Sequence, residues 1–195
     1  HLLSYNSAEP MIFSSGVFLW LFAAFIAIYV ALRRHDTARI IFVTCFSYYF
    51  YYKSSGFYFF LLAVVTVSDF IIARTMQQVD RKGLRKLLVA LSLAINLGLL
   101  CYFKYTNFFG EVWASAMGLH FDALDIFLPV GISFFPFQSL SYTIDVYRRR
   151  IEPLHSLLDY AFYVSFFPQL VAGPIVRAKD FIPQIRRPLC VTHAM

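Results

Sequence analysis

Charge is scarce in this sequence. Lysine, arginine, aspartate and glutamate make up 14% of the 195 residues, against roughly 25% in a soluble domain, which excludes an ordinary water-facing surface. Cysteine is nearly absent as well. Three residues, Cys45, Cys101 and Cys190, share no metal-ligand spacing, so a disulfide framework and a zinc module are excluded and reduced thiols buried in apolar segments are expected. Histidine never falls deep within an apolar run. No P-loop, zinc-binding helix motif or serine nucleophile elbow occurs. No small-residue cleavage site follows the first apolar run, which therefore reads as a membrane anchor rather than a removable signal.

What fills the space is apolar and aromatic: hydrophobic residues reach 59%, with 23 phenylalanines and 13 tyrosines, and the mean hydropathy is +0.64. This is the composition of an integral membrane protein. The net charge of +6 does not point to nucleic acid, because the basic residues sit in short clusters between apolar runs, where they orient helices in a bilayer.

A spanning helix needs about 20 mostly apolar residues. Residues 11–32 carry no charge until Arg33, and apolar stretches follow at 38–52, 57–73, 87–103, 126–147 and 157–176. Residues 1–10 read as an extension before one membrane domain over 11–195. Arg33, Arg34 and Arg39 follow the first span, Arg74 to Lys86 the third, and Arg148, Arg149 and Arg150 the fifth. Those loops are expected in the cytoplasm, with the N-terminus outside.

The sixth stretch breaks the alternation, since a full crossing would put Arg177, Lys179, Arg186 and Arg187 outside. A segment that dips in and returns removes the conflict. Residues 165–181, SFFPQLVAGPIVRAKDF, suit it: Pro168 lacks a donor and Gly173-Pro174 interrupts the helix. Broken backbone at membrane depth needs protein or a water-filled cavity around it. The expected fold is all-α: a polytopic helical bundle with a re-entrant broken segment near residues 157–176.

Polar residues draw a stripe along the fifth stretch. Gln138, Ser141, Tyr142, Asp145 and Arg149 recur at helical spacing, which suits either a cavity wall or a helix seam. Asp69, near the end of its span, reads as a local ion pair with Arg74 or a cap; Asn96 reads as an interhelical hydrogen bond. His155 and Asp159, in HSLLD, fit a plain polar helix start better than a catalytic pair.

Three blocks in order, LLCYFKYTNFF (99–109), LPVGISFFPFQSLSYTIDVYR (128–148) and DYAFYVSFFPQLVAGPIVRAKDFIPQI (159–185), resemble the N-terminal signatures of the membrane-bound O-acyltransferase family, in its bacterial polysaccharide branch. The resemblance implies an inner-membrane enzyme that passes an acyl group, commonly acetyl, from a cytosolic thioester donor such as acetyl-CoA. The acceptor would be an exported cell-surface polysaccharide, reached through a periplasmic acetyltransferase partner. The histidines that family uses lie beyond a Trp-His motif, and no such motif occurs here, so the expected reading is an N-terminal portion without catalytic residues. Gln138, Tyr142, Asp145, Gln169, Gly173 and Pro174 match the family's motif positions and are the candidates for funnel lining or scaffold. The competing expectations are half of a transporter, although no internal repeat is visible, and a membrane scaffold without catalysis.

This topology makes a direct prediction. Reporters fused near residues 150 and 182 should report the same side of the membrane, and reporters near 82 and 115 opposite sides; a split result for the first pair rules out the re-entrant segment.

Overall fold

The computed structural model describes residues 16–172 and 176–186, and all regular structure among them is helical. Helix α1 (Gly16–Ala31) is apolar on every side, as suits a helix immersed in lipid. A single 3-10 turn, Leu32–Arg34, leads into α2 (Asp36–Ser55). Gly56 then turns the chain at φ 61°, a left-handed value that glycine adopts freely. From there α3 (Phe59–Gln78) runs back along α2. The Tyr48 side chain meets Thr66 across this hairpin, and the Tyr52 and Phe59 rings meet edge to face at 5.9 Å.

Two helical stretches, Asp36–Gln78 with its reversal and Lys82–Met117, are long and apolar enough to cross a membrane. The second contains α4 (Lys82–Leu100), a π-helical turn at Cys101–Tyr105 and α5 (Thr106–Met117). The expected fourth span at 87–103 therefore continues as helix well past its apolar limit. The fifth stretch is shorter than its hydropathy suggests. Only α6 (Phe135–Tyr147) is helical, about 20 Å long, because Pro129 and Gly131, at φ 77°, hold the preceding residues in turns. Val130 N-H donates to Ser55 Oγ at 2.9 Å, which pins this irregular stretch to the end of α2.

The sixth stretch divides into α7 (Leu157–Ser165) and α8 (Phe167–Ala172), and α9 (Ala178–Ile185) follows. The chain goes in and comes back. Tyr163 Oη lies 3.3 Å from the Val176 carbonyl, Asp159 is paired with Arg186, and Arg39 reaches the Ile185 carbonyl at 3.4 Å. Outbound α7 and the returning chain thus run side by side, and both finish at the end of the bundle that carries Arg39. Among the described residues the fold-back expected of a re-entrant segment is present.

Helix α3 is the hub, packed by α2, α4, α6 and α7. Its Leu62, Val65, Ala73 and Met76 are fully buried. A second, aromatic core joins α1 and α2 around Phe18, Phe25 and Phe50.

Three charge and thiol expectations change. Arg85 is buried rather than a loop cation: it donates to the Met76 carbonyl at 2.6 Å and the Tyr147 carbonyl at 3.0 Å, so one guanidinium caps the C-terminal ends of both α3 and α6. Asp69 does not pair with Arg74, whose guanidinium instead meets His155 Nδ1. Cys45 and Cys101 lie in apolar helices but face outward, because their helices turn other residues to the core; Cys190 and residues 1–15 lie outside the described residues.

Replacing Arg85 by alanine removes the donors from two helix ends at once. The expected loss is about 1.5–3 kcal/mol, read as a lower midpoint of thermal unfolding of the whole polypeptide in detergent, with Arg81→Ala, an exposed neighbour, unchanged.

Candidate functional site

The break between α7 and α8 exposes backbone groups that a continuous helix would pair. Phe166, at φ −53° and ψ 106°, leaves the helical region, so the Phe167 N-H and the Tyr163 carbonyl lose each other. Two side chains replace the missing partners. Ser47 Oγ on α2 accepts from the Phe167 N-H at 3.2 Å, and Gln138 Nε2 on α6 donates to the Tyr163 carbonyl at 2.6 Å. Gln138 Nε2 also reaches Gln169 Oε1 at 3.1 Å, which ties α8 to α6. The following residue, Pro168, has no N-H to satisfy. The Phe167 ring fills the aromatic core between α1 and α2, with centroids 5.1 Å from Phe46 and 5.4 Å from Phe25. The interrupted backbone thereby finds its partners in protein side chains.

Below the break, toward the arginine-bearing end, a groove of about 460 Å³ opens between α6 and the start of α9. Ser141, Ile144, Asp145, Arg150, Arg177 and Lys179 line it. Asp145 pairs with Arg150 at 3.7 Å, while Arg177 and Lys179 have no ion-pair partner among the described residues. The groove is therefore an anion-attracting surface. The Asp159 carboxylate accepts two hydrogen bonds from Arg186 at 2.9 Å, and these, then its charge, raise the Arg186 pKa.

Deeper in the bundle, Asp69 on α3 is fully buried and meets only neutral donors. Ser92 Oγ donates to it at 2.6 Å and Asn96 Nδ2 at 2.7 Å, both from α4. Ser139 Oγ of α6 donates at 2.5 Å and is itself 2.6 Å from Tyr160 Oη of α7. One carboxyl group thus binds four helices.

The probable alginate O-acetylase of Pseudomonas aeruginosa is 35% identical over 181 residues, which covers 89% of this chain and 34% of that protein. The corresponding protein of Azotobacter vinelandii is 33% identical over 184 residues, 89% of this chain and 36% of its own length. The peptidoglycan O-acetyltransferase of Helicobacter pylori is 34% identical over 148 residues, 62% of this chain and 27% of that protein. These relatives are named for O-acetylation of alginate and of peptidoglycan, in keeping with the resemblance of the three sequence blocks to the membrane-bound O-acyltransferase family. The chain spans about a third of the length of the relatives it matches. No family model and no solved structure matches it.

Within the bundle, the polar stripe of α6 divides in two. Gln138 and Tyr142 are buried in the seam, where Tyr142 Oη accepts from the Leu154 N-H at 2.8 Å. Asp145 and Ser141 line the groove. Arg149 leaves the stripe altogether: at φ 56° it sits outside the helix and reaches Asp80 at 3.4 Å. Gln169 is buried beside Gln138, and Gly173 and Pro174 lie outside the described residues. His155 and Asp159 are not paired with each other; Ser156 caps α7 by accepting from the Asp159 N-H at 3.3 Å. Asn96 makes the expected interhelical bond. Ser47, Ser92, Ser139 and Tyr160 carry much of the site, yet single hydroxyls in apolar runs give no periodic signal that would single them out.

Ser47→Ala leaves the Phe167 N-H buried and unpaired, and the expected cost is about 1–3 kcal/mol. Gln138→Leu strips the Tyr163 carbonyl in the same way. Thermal unfolding of the single and double variants should show non-additive losses, because both act on one break.

Proposed function

We propose that this chain is the N-terminal part of an inner-membrane enzyme that moves an acetyl group from a cytosolic thioester donor toward an exported polysaccharide. The observation that carries the reading is the re-entrant α7–α8 segment, which returns to the arginine-rich end and leaves a cationic groove beside it. The relatives' names supply the class of transfer and of acceptor: O-acetylation of alginate and of peptidoglycan.

The positive-inside rule places that arginine-rich end in the cytoplasm, and the N-terminus, one crossing away, outside. The groove then faces the compartment of the donor. Arg150, Arg177 and Lys179 attract the phosphates of a coenzyme A thioester, and Asp145 holds Arg150 in place. Above the groove, the side-chain-bridged break fixes α8 and so shapes the wall along which the acyl group passes. The general base that takes the proton of the acceptor hydroxyl, as that oxygen attacks the thioester carbonyl and the coenzyme A thiol leaves, lies in the part of the relatives' length that this chain does not span. A periplasmic acetyltransferase partner receives the acyl group for delivery to the glycan. Gln138, Tyr142, Gln169, Gly173 and Pro174 are scaffold in this scheme, and Asp145 is the donor-side residue.

Neutralising Arg177 and Lys179 to glutamine should raise the KM for the thioester donor on the order of tenfold, equivalent to about 1.4 kcal/mol, with kcat little changed. The assay is acetyl transfer to glycan by membranes holding the whole polypeptide, with topology reporters verifying the variant's orientation. An unchanged KM overturns the donor role of the groove.

A further inference from the structure

The helical stretch Lys82–Met117 is too long for the bilayer that its own sequence describes. Its 36 residues rise about 54 Å, and the hydrocarbon core is about 30 Å thick. Fitting all of it inside would demand a tilt of more than about 50°, whereas spanning helices tilt by roughly 0–40°. The side chains mark where the core ends. The rise from Lys82 to Tyr102 is itself about 30 Å, and there Tyr102, Lys104 and Tyr105 form an aromatic and cationic collar within the π-helical turn. Lys104 Nζ lies 5.6 Å from the centre of the Tyr105 ring.

Helix α5 starts at that collar, yet it is not dressed for water. With side chains turning by about 100° per residue, Phe108, Phe109, Val112, Trp113 and Met117 fall on one half of its circumference. Asn107, Gly110, Glu111, Ala114 and Gly118 fall on the other. The polar half is partly covered, at Asn107, Gly110 and Ala114. Asn107 exchanges two hydrogen bonds with the Leu124 backbone, at 2.8 and 3.0 Å, and the Phe121 ring lies against Gly110, so the following chain folds back along this side. The apolar half is bare: Trp113 is 66% exposed and Phe109 59%.

Its place just beyond the Tyr102, Lys104 and Tyr105 collar identifies what covers it. Along α4, exposed residues at steps of three or four, Leu84, Leu87, Leu91, Ala94, Gly98 and Tyr102, draw the face that meets lipid. Past the collar, two turns on from Tyr102, exposed apolar residues resume at Phe109, Trp113 and Met117, directly beyond the edge of the hydrocarbon core. We propose that α5 is an interfacial helix, its apolar half sunk in the headgroup–acyl boundary of the leaflet remote from the arginine-rich loops. It would anchor the start of the irregular stretch that leads to α6 at a fixed depth.

This inference rests on the membrane reading above, and the experiment separates the two. Photoreactive benzoylphenylalanine replaces Trp113 in the whole polypeptide, expressed in its own membrane, and in a second variant replaces Val64, an exposed residue in the first half of α3. Phospholipid adducts at both positions are expected. An adduct at Val64 with cross-linking of position 113 to a polypeptide, whether this one, a second copy or another protein, overturns the interfacial helix alone. So does an adduct at Val64 with position 113 recovered unreacted, as in water. Absence of a lipid adduct at Val64 overturns the membrane reading itself, and the inference falls with it.

Discussion

Every backbone N-H and C=O buried away from water needs a partner, and this requirement organises the molecule around residues 163–169. A helix interrupted in apolar surroundings costs several kcal/mol per unsatisfied group by general estimates of polar burial. Here Ser47 and Gln138 supply the acceptor and the donor that the interruption takes away. Helices α2 and α6 must therefore arrive at defined heights. Once they do, α3 is enclosed between them and the Phe167 ring has its place in the aromatic core. The groove lies one turn below because α6 continues from Gln138 through Ser141 to Asp145 on the side facing the returning chain.

The Asp69 network does for the bundle's middle what the break does for its re-entrant arm. A carboxyl group without a cation is expensive at such depth unless neutral donors surround it. Ser92, Asn96 and Ser139 provide that shell from two helices, and Tyr160 extends it to a third. Buried networks of this kind specify one arrangement of helices because a shifted register would strand the carboxyl group. The stabilising value lies in uniqueness more than in strength.

Much of this was legible in the sequence, and the reasons for the exceptions are physical. The all-helical membrane class follows from composition, and the re-entrant arm follows from Pro168 together with the misplaced arginines beyond it. Charge counting could detect the arm because orientation depends on a summed property of loops. It could not detect that Arg85, one of those same basic residues, is a double helix cap, because that depends on two helix ends meeting in space. Asp69 was legible as an exception but not in its partners. A local reading pairs it with the nearest cation in sequence, Arg74, which the helix turns toward His155 instead. Hydroxyl residues were the least visible, since serine is common in helices and its role appears only when an orphaned backbone group is nearby. The family resemblance located Gln138 and Gln169; the geometry distinguishes seam residues from the groove-lining Asp145.

The turn before α6 closes onto the re-entrant arm through Gly131. Its φ of 77° is one that side-chain-bearing residues rarely adopt, and a Cβ built there would stand 3.0 Å from the Leu170 carbonyl oxygen. The tip of the arm and the far-side turn are in effect meshed like two teeth with no clearance between them. Over evolutionary time, this locus can drift only if α8 drifts with it.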